Sequence, residues 1–478
     1  MNRLISRILF LYLSVAGVVL SASEISLKVI QTADLHGCFR KGALAKTASV
    51  IRAEYGDGSG ALLIDCGDFA QGSFASTLDR GTGMVSYLNR MKYDLLVPGN
   101  HDFEFGTAAL ARNLQVFEGT VCALNLAMDD VRIVPWKAFH REGLKIVVIG
   151  IAYPALERMY IGDPFRGFRM FSVKQRLEKI IPSVMAEKPA VIILAMHAGN
   201  YTWLDQDFNL YHLLRKYPQI DLVLTSHSHQ AEAGKSAGSH SWRMQAPAYG
   251  GAAVAEIVYD TQMKKIISLK SRVVPLEPHQ IEDPQIRELS TSILKDAAVY
   301  GNQPIAYCKQ PLSVGKKRKK GSFDTMCAAA IRQHTRSDIV FFRSSGRWDQ
   351  PPGVLTRQEL YSLLPYETYP AVIPLTQQEL RAVLKEQLTR RADSFLFPDG
   401  LRYHAKGKKL ISFTVEQSGK KEEYRCAFSS YALAGGGSAF PVLRGIALKK
   451  WNKIEFFPET IRSVLEKYLK TGYPYRKK

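Results

Sequence analysis

Five short apolar runs in the first half of the chain break off into residues that bind metals or carry protons: "ISLKVIQTADLH", "ALLIDCGDF", "DLLVPGNHD", "VIILAMHAGN" and "DLVLTSHSH". The polar residues at those ends are Asp34 and His36, Asp68, Asn100 and His101, His197, and His227 with His229. All are oxygen or nitrogen donors of hard or borderline character. A single zinc ion takes about four protein ligands, or three and a water. Seven good donors besides His101 exceed that need and suit two divalent ions, zinc, manganese or similar, sharing a bridging carboxylate. Two ions about 4 Å apart clamp the attacking and leaving oxygens of a phosphoryl displacement and draw the pKa of a shared water towards neutrality. The chemistry these residue types point to is hydrolysis of an anionic ester. Singly, each residue has an ordinary explanation: a packed histidine, or an aspartate that forms a turn or caps a helix. Together, at five successive strand ends, they argue for a common site.

The elements that carry them must bring those ends together. The runs are short, apolar and β-branched, as buried strands are, and helix-like segments at 174–187 and 208–216 lie between some of them. This predicts a layered α/β domain whose function collects at the carboxyl ends of its strands. In an extended segment, D-x-H (Asp34, His36) and H-x-H (His227, His229) each place alternate side chains on one face, so both members can reach one centre. Gly99 lets the backbone turn close to that centre. Residues 276–300 hold an amphipathic helical pattern after a proline-containing lead and read as a linker helix. A second mixed region follows, with helices expected around 324–334, 376–390 and 457–470 and strands around 337–342, 410–415 and 424–433.

D-x-H, then G-D, G-N-H-[DE], a strand-end His and H-x-H together resemble the calcineurin-like metallophosphoesterases. "GNHDFEFG" and "MQAPAYGG" (244–251) look most like the exported 5′-nucleotidase/UDP-sugar hydrolase/2′,3′-cyclic phosphodiesterase family. The resemblance is strong over residues 25–260 and weak over 300–478. It implies an N-terminal layered α/β/β/α catalytic domain (25–275), the linker helix (276–300) and a smaller α/β C-terminal substrate-binding domain (301–478). It further implies that Asp34, His36 and His229 bind one ion and Asn100, His197 and His227 the other, with Asp68 bridging. Metal-activated hydroxide would attack phosphorus, and His101 would stabilise the leaving oxygen. An acid orients His101; Glu104 is the expected one, with Asp102 the alternative. Ser226 stands where the family has Gly. In the second domain, Arg347 of "SSGRWDQPPGVLT" would hold the anionic substrate and Tyr366 of "LLPYETYP" would stack on a nucleobase. "YALAGGGSAFP" (431–441) departs from the family: the second stacking position is Ala432, and Ser438 replaces an Asp. Tyr431, placed on a strand, would face away from residue 432, which leaves half of a base sandwich missing.

The first 22 residues set Arg3 and Arg7 before an apolar run from Ile8 to Leu20 and small residues at Ser21 to Ser23. This is the layout of a signal peptide cleaved near Ala22, with an uncleaved anchor the alternative, and implies an exported, periplasmic or extracellular protein. No later stretch is long and apolar enough to span a bilayer. The 478 residues are 46 % hydrophobic and 23 % charged, a globular composition long enough for two domains. None of the six cysteines forms a C-x-x-C pair, which excludes a thiolate zinc site. The net charge of +20 is uneven: 301–478 holds 32 Lys+Arg against 15 Asp+Glu, whereas 1–300 holds 32 against 29. Such a basic part should attract anions, whether phosphorylated substrates, nucleic acid or anionic lipid; the resemblance implies an anionic small molecule, a nucleotide, with no stable nucleic-acid partner, and the oligomeric state is not assigned. Two other readings remain: a thiosulfohydrolase on the same scaffold, and a non-catalytic binder using "GKKRKKG" (315–321) and the basic tail to hold anionic surfaces.

Overall fold

The computed structural model describes residues 23–56, 60–199, 208–237, 240–346, 348–392, 394–416, 419 and 421–471. The expected signal peptide, the basic tail and Arg347 lie outside the described residues.

Two six-stranded sheets form the first domain. One runs in the order Lys265–Val274, Ala252–Asp260, Glu24–Thr32, Ala61–Asp65, Leu95–Leu96, Thr120–Val121. Its last four strands are mutually parallel, and their ends are in register: Thr32 pairs with Asp65, and Asp65 with Leu96. The other runs Glu232–Ala237, Ser241–Gln245, Leu222–Thr225, Val191–Met196, Leu144–Ile151, Trp136–Arg141. Its four central strands are parallel too. Leu27, Val29, Ile64, Ile146, Ile193 and Leu222 belong to one fully buried cluster between the sheets. The outer faces are covered by helices. Ala43–Tyr55 and Thr82–Arg90 share a core cluster with the first sheet, and Val173–Ala186 and Leu210–Lys216 with the second. Strands buried on both faces carry apolar residues throughout, which is why Val191–Met196 and Ala61–Asp65 show continuous burial. All five candidate-bearing strands are parallel members of these sheets, so their carboxyl ends open on one edge of the sandwich.

The second domain is built on a five-stranded sheet, Phe397–Asp399, Ile339–Phe342, Glu423–Ser429, Pro370–Thr376, Glu455–Phe456. Helices Ser322–Thr335, Gln377–Thr389 and Ile461–Lys470 pack against it. Two expected boundaries move. The third helix starts at Ile461, after Pro458, where the Thr460 hydroxyl accepts the Ser463 N–H. The strand expected over 424–433 ends at Ser429, because that side chain caps a short helix, Ser430–Ala434, by accepting the Ala432 N–H at 3.2 Å.

Between the domains runs helix Pro284–Gly301. Pro284 takes the first-turn position, where its missing N–H costs nothing, and the Asp283 carboxylate accepts the Ile286 N–H at 2.9 Å. The other Asp283 oxygen holds Arg52 Nε at 2.6 Å, fastening the helix to Ala43–Tyr55 of the first domain. On its other side the helix meets Arg357–Leu363 of the second. Asp283→Ala removes cap and tie together and is expected to lower stability by about 1–2 kcal/mol in chemical denaturation. Asp283→Asn keeps the cap and should cost less; equal losses would show that capping is not what anchors this helix.

Candidate active site

The strand-end residues converge into two clusters. Asp34, His36 and His229 each offer a ligand atom within 4.8 Å of the others, and so do Asp68, His197 and His227. Asp68 lies between them, its Oδ2 3.1 Å from His197 Nε2 and 4.0 Å from His36 Nε2. Asn100 Oδ1 lies 3.2 Å from His197 Nε2. The H-x-H pair divides: His229 joins Asp34 and His36, whereas His227 joins Asp68 and His197.

The expectation that an extended segment presents these side chains is overturned. Asp34, His36, Asp68, His227 and His229 all lie past the ends of their strands in left-handed conformation, with φ between 50° and 72°. Each such non-glycine residue costs on the order of 1 kcal/mol or more, so surrounding bonds must hold it. They do. Asp34 N–H donates to Gly67 O and His36 N–H to Asp68 O, both at 2.8 Å, which laces the first two loops together. Asp34 in turn accepts the His227 N–H with both oxygens, at 3.1 and 3.0 Å.

The ring nitrogens are oriented from behind. His36 Nδ1–H donates to Gln71 O at 2.6 Å and His197 Nδ1–H to Cys66 O, also at 2.6 Å, which leaves both Nε2 lone pairs facing the centre. Ser226, in place of the family's Gly, is buried and donates to Cys66 O at 2.8 Å beside the His197 ring. The result is electrostatically unbalanced. His36 Nε2 stands 3.0 Å from His229 Nε2, and His197 Nε2 faces Asn100 Oδ1 and Asp68 Oδ2. Asp68 Oδ2 is buried, and His197 Nε2 at 3.1 Å is the imidazole nitrogen that faces it. Lone pairs crowded this closely in a buried site demand positive charge. Burial pulls His36 and His227 down to about 3, so both are neutral donors. Burial pulls at His197 as well, yet Asp68 and Asp34 outweigh it and push it up to about 10. Burial raises Asp34 to about 7, whereas for Asp68 the surrounding histidines overcome burial and hold it well below the usual range. This donor set of imidazoles, carboxylates and an amide oxygen fits two divalent cations sharing Asp68.

At the mouth, His101 Nδ1 is in contact with Glu104 Oε1, and the His101 N–H donates to Asp68 Oδ1 at 2.6 Å. Burial works against a charge on His101, but Asp68 and Glu104 push it up to about 9. Asp102 faces the other way. Its carboxylate accepts the N–H groups of Asp68, Ala70 and Gly99 at 3.0, 3.0 and 2.8 Å, pinning the two loops on which Asp68 and Asn100 stand.

A cavity of about 370 Å³ opens from His101 and Glu104 into the second domain. Tyr366 lines it, its ring stacked on that of His101 with centroids 5.7 Å apart. Tyr431 lines it too, against the expectation that it faces away from residue 432. Residues 430–434 are helical, so Tyr431 and Ala432 both border the cavity, Ala432 from within the core. Ser438 instead meets Arg158 of the first domain, 3.3 Å from its guanidinium. In the basic run, Lys316 is paired with Asp349 at 2.9 Å and Lys320 with Asp399 at 2.5 Å, and Arg318 donates to the Leu388 and Arg390 carbonyls. The six cysteine thiols are unpaired, and none belongs to either cluster.

Sequence reasoning missed Tyr249, half exposed with φ 64°, whose ring sits 5.4 Å from those of both His36 and His229. It follows the strand Ser241–Gln245, a sixth strand end with the same abrupt break, and that was the available signal. Gln71 and Tyr153, the latter 4.6 Å from His227, carried none.

Gly99 has a steric role. A Cβ there would lie 2.3 Å from both the N and the Oδ1 of Asp68 and 2.8 Å from the His197 ring. Gly99→Ala must therefore push Asp68 out of place. Metal content after dialysis should fall from two ions per chain, with little change in circular dichroism; full retention of both ions would contradict this geometry.

Comparison with known proteins agrees with this arrangement. Residues 27–231 match the calcineurin-like phosphoesterase family, and 304–445 match the 5′-nucleotidase C-terminal domain. A snake venom 5′-nucleotidase from Gloydius brevicauda is 23 % identical over 237 residues, a stretch covering 45 % of this chain but only 38 % of that protein. A 5′-nucleotidase from Vibrio vulnificus is 22 % identical over 483 residues, covering 88 % of this chain and 86 % of that one. Among solved structures, a 5′-nucleotidase precursor from Thermus thermophilus shares the fold at a TM-score of 0.67 and 18 % identity, with 94 % of this chain and 96 % of that chain covered. The chain thus carries a calcineurin-like phosphoesterase domain over residues 27–231 and a 5′-nucleotidase C-terminal domain over 304–445.

Proposed function

We propose that this chain is an exported two-metal phosphoesterase that hydrolyses nucleotides or closely related phosphate esters. The observation that carries the reading is the junction of three features: two His/Asp clusters sharing Asp68, the His101–Glu104 pair, and a tyrosine-lined cavity leading away from them. Export rests on the charged and then apolar leader.

In this reading Asp34, His36 and His229 hold one ion, Asn100, His197 and His227 the other, and Asp68 both. Bound there, divalent ions would activate water for in-line attack on phosphorus and neutralise charge on the phosphoryl oxygens. The chain's own residues do the rest. Glu104 takes the Nδ1–H of His101, so the Nε2–H of the protonated ring is the one offered to the leaving oxygen. The Glu104 carboxylate against Nδ1 favours the protonated ring. Tyr366 and Tyr431 offer π-faces to a nucleobase, each stack being worth about 1–3 kcal/mol. Arg347 and the basic second domain draw the anionic substrate in.

The test is a panel of nucleoside 5′-monophosphates differing only in base, with nucleotide sugars, cyclic nucleotides and aryl phosphates. Hydrolysis should be abolished by chelators. His101→Ala should lower kcat by about 10²–10⁴-fold with metal content unchanged. A metal-loaded protein inert towards the whole panel, or one that releases sulfate from a cysteine S-sulfonate instead, overturns the reading. The tyrosines give a second prediction. Tyr431→Ala should raise KM for nucleotides roughly tenfold while sparing glycerol phosphate, which has no ring to stack. An equal effect on both would remove Tyr431 from the base site.

A further inference from the structure

The segment Leu364–Glu367 of the second domain touches the candidate catalytic residues. Glu104 Oε1 is engaged with His101, and its Oε2 accepts the backbone N–H of Glu367 at 3.1 Å. Gln71, whose carbonyl orients His36, sends its side-chain amide across to Pro365 O at 2.8 Å. Tyr366, between these two anchor points, lies on the His101 ring. One four-residue stretch therefore holds the partners of a candidate ligand and of the candidate acid.

Something must hold the stretch itself, because it has no regular structure of its own. Arg462, on helix Ile461–Lys470, does so. Its Nε and Nη2 donate to Leu364 O at 3.0 and 2.7 Å, and its Nη1 is paired with the Glu367 carboxylate. Its guanidinium also lies 4.9 Å above the ring of Tyr361. Both Arg462 and Glu367 are largely buried. A planar guanidinium can satisfy a carbonyl and a carboxylate at once, which an ammonium cannot do in the same geometry.

We propose that Arg462 is a positioning residue for the hydrolysis, bracing Leu364–Glu367 so that Glu104 holds His101 in its working orientation. The proposal rests on the phosphoesterase reading for its kinetic consequences, but not for its structural ones. A carboxylate fixed at both oxygens has one orientation, whereas one held by the imidazole alone can rotate and carry the ring with it.

With glycerol phosphate, which does not stack on Tyr366, Arg462→Ala should lower kcat by about 10- to 100-fold with KM nearly unchanged and the bound ions retained. In a Glu104→Ala background the same change should add little, because both act through one contact. Arg462→Lys, which keeps the charge but not the fork, should recover only part of the loss. Hydrogen exchange supplies a readout independent of turnover: amides in 100–106 should exchange faster in Arg462→Ala, while strands of the first domain are unaltered. Additive losses in the double variant, or unchanged exchange at 100–106, overturn the proposal. If Arg462→Ala does not fold, Arg462→Lys is read by the same two criteria. A wild-type protein with no phosphoesterase activity would sink the functional reading alone, and the exchange experiment would still decide the bracing.

Discussion

Asp68 is a buried carboxylate that the rest of the site is arranged to tolerate. Its N–H donates to Asp102, its Oδ1 accepts the backbone N–H of His101, and its Oδ2 faces His197 Nε2 at 3.1 Å. Three imidazoles and a second aspartate surround it. Removing an ionised carboxylate from water costs several kcal/mol unless opposite charge compensates it. Two sheets, each delivering one half of a cation site to the same point, provide that compensation once the ions are bound. The cost explains why the loops are cross-tied so heavily: an unsupported anion in apolar surroundings would swing towards water.

The same constraint accounts for where the backbone is strained. Five candidate ligands sit at positive φ, and none of them is in a strand. A left-handed residue straight after a parallel strand turns its side chain across the sheet edge, so ends several ångströms apart can face one another. Regular secondary structure supplies the rigid part, and the strained residues supply the aim. Asp102 shows how the two are joined. Lacking any role as ligand or acid in the geometry, it satisfies three N–H groups from the loops of Asp68 and Gly99 and so fixes their separation.

How much of this was legible beforehand follows from what each residue has to do. Metal ligation allows few residue types, so Asp34, His36, Asp68, His197, His227 and His229 stood out by kind and position. Glu104 was expected over Asp102 from the resembled motif, whose second acid orients the histidine, and the turn at His101–Phe103 brings Glu104 back against the His101 ring. The left-handed conformations were not legible, because only glycine advertises positive φ in a sequence. Nor were Gln71 and Arg462, whose work is done through backbone carbonyls that have no sequence identity. The short helix Ser430–Ala434 was misread as strand because aromatic and apolar residues continue on both sides of Ser429 and Ser430; the Ser429 cap was the signal that should have ended the strand.

That misreading shows why the two domains differ in how well they keep their motifs. A ligand to an ion must present a particular atom at about 2 Å, and a shift of one residue along the chain destroys it. A base-stacking residue must only present a flat face somewhere on a cavity wall. Under the proposed function Tyr431 would stand in for an aromatic at position 432, because the helix at that point brings its side chain to the cavity wall. The catalytic half is therefore held by coordination geometry, residue by residue, whereas the substrate half is held by shape and area. Divergence of the kind seen at Ala432 and Ser438 alters what the cavity prefers before it alters whether the chain can hydrolyse an ester at all.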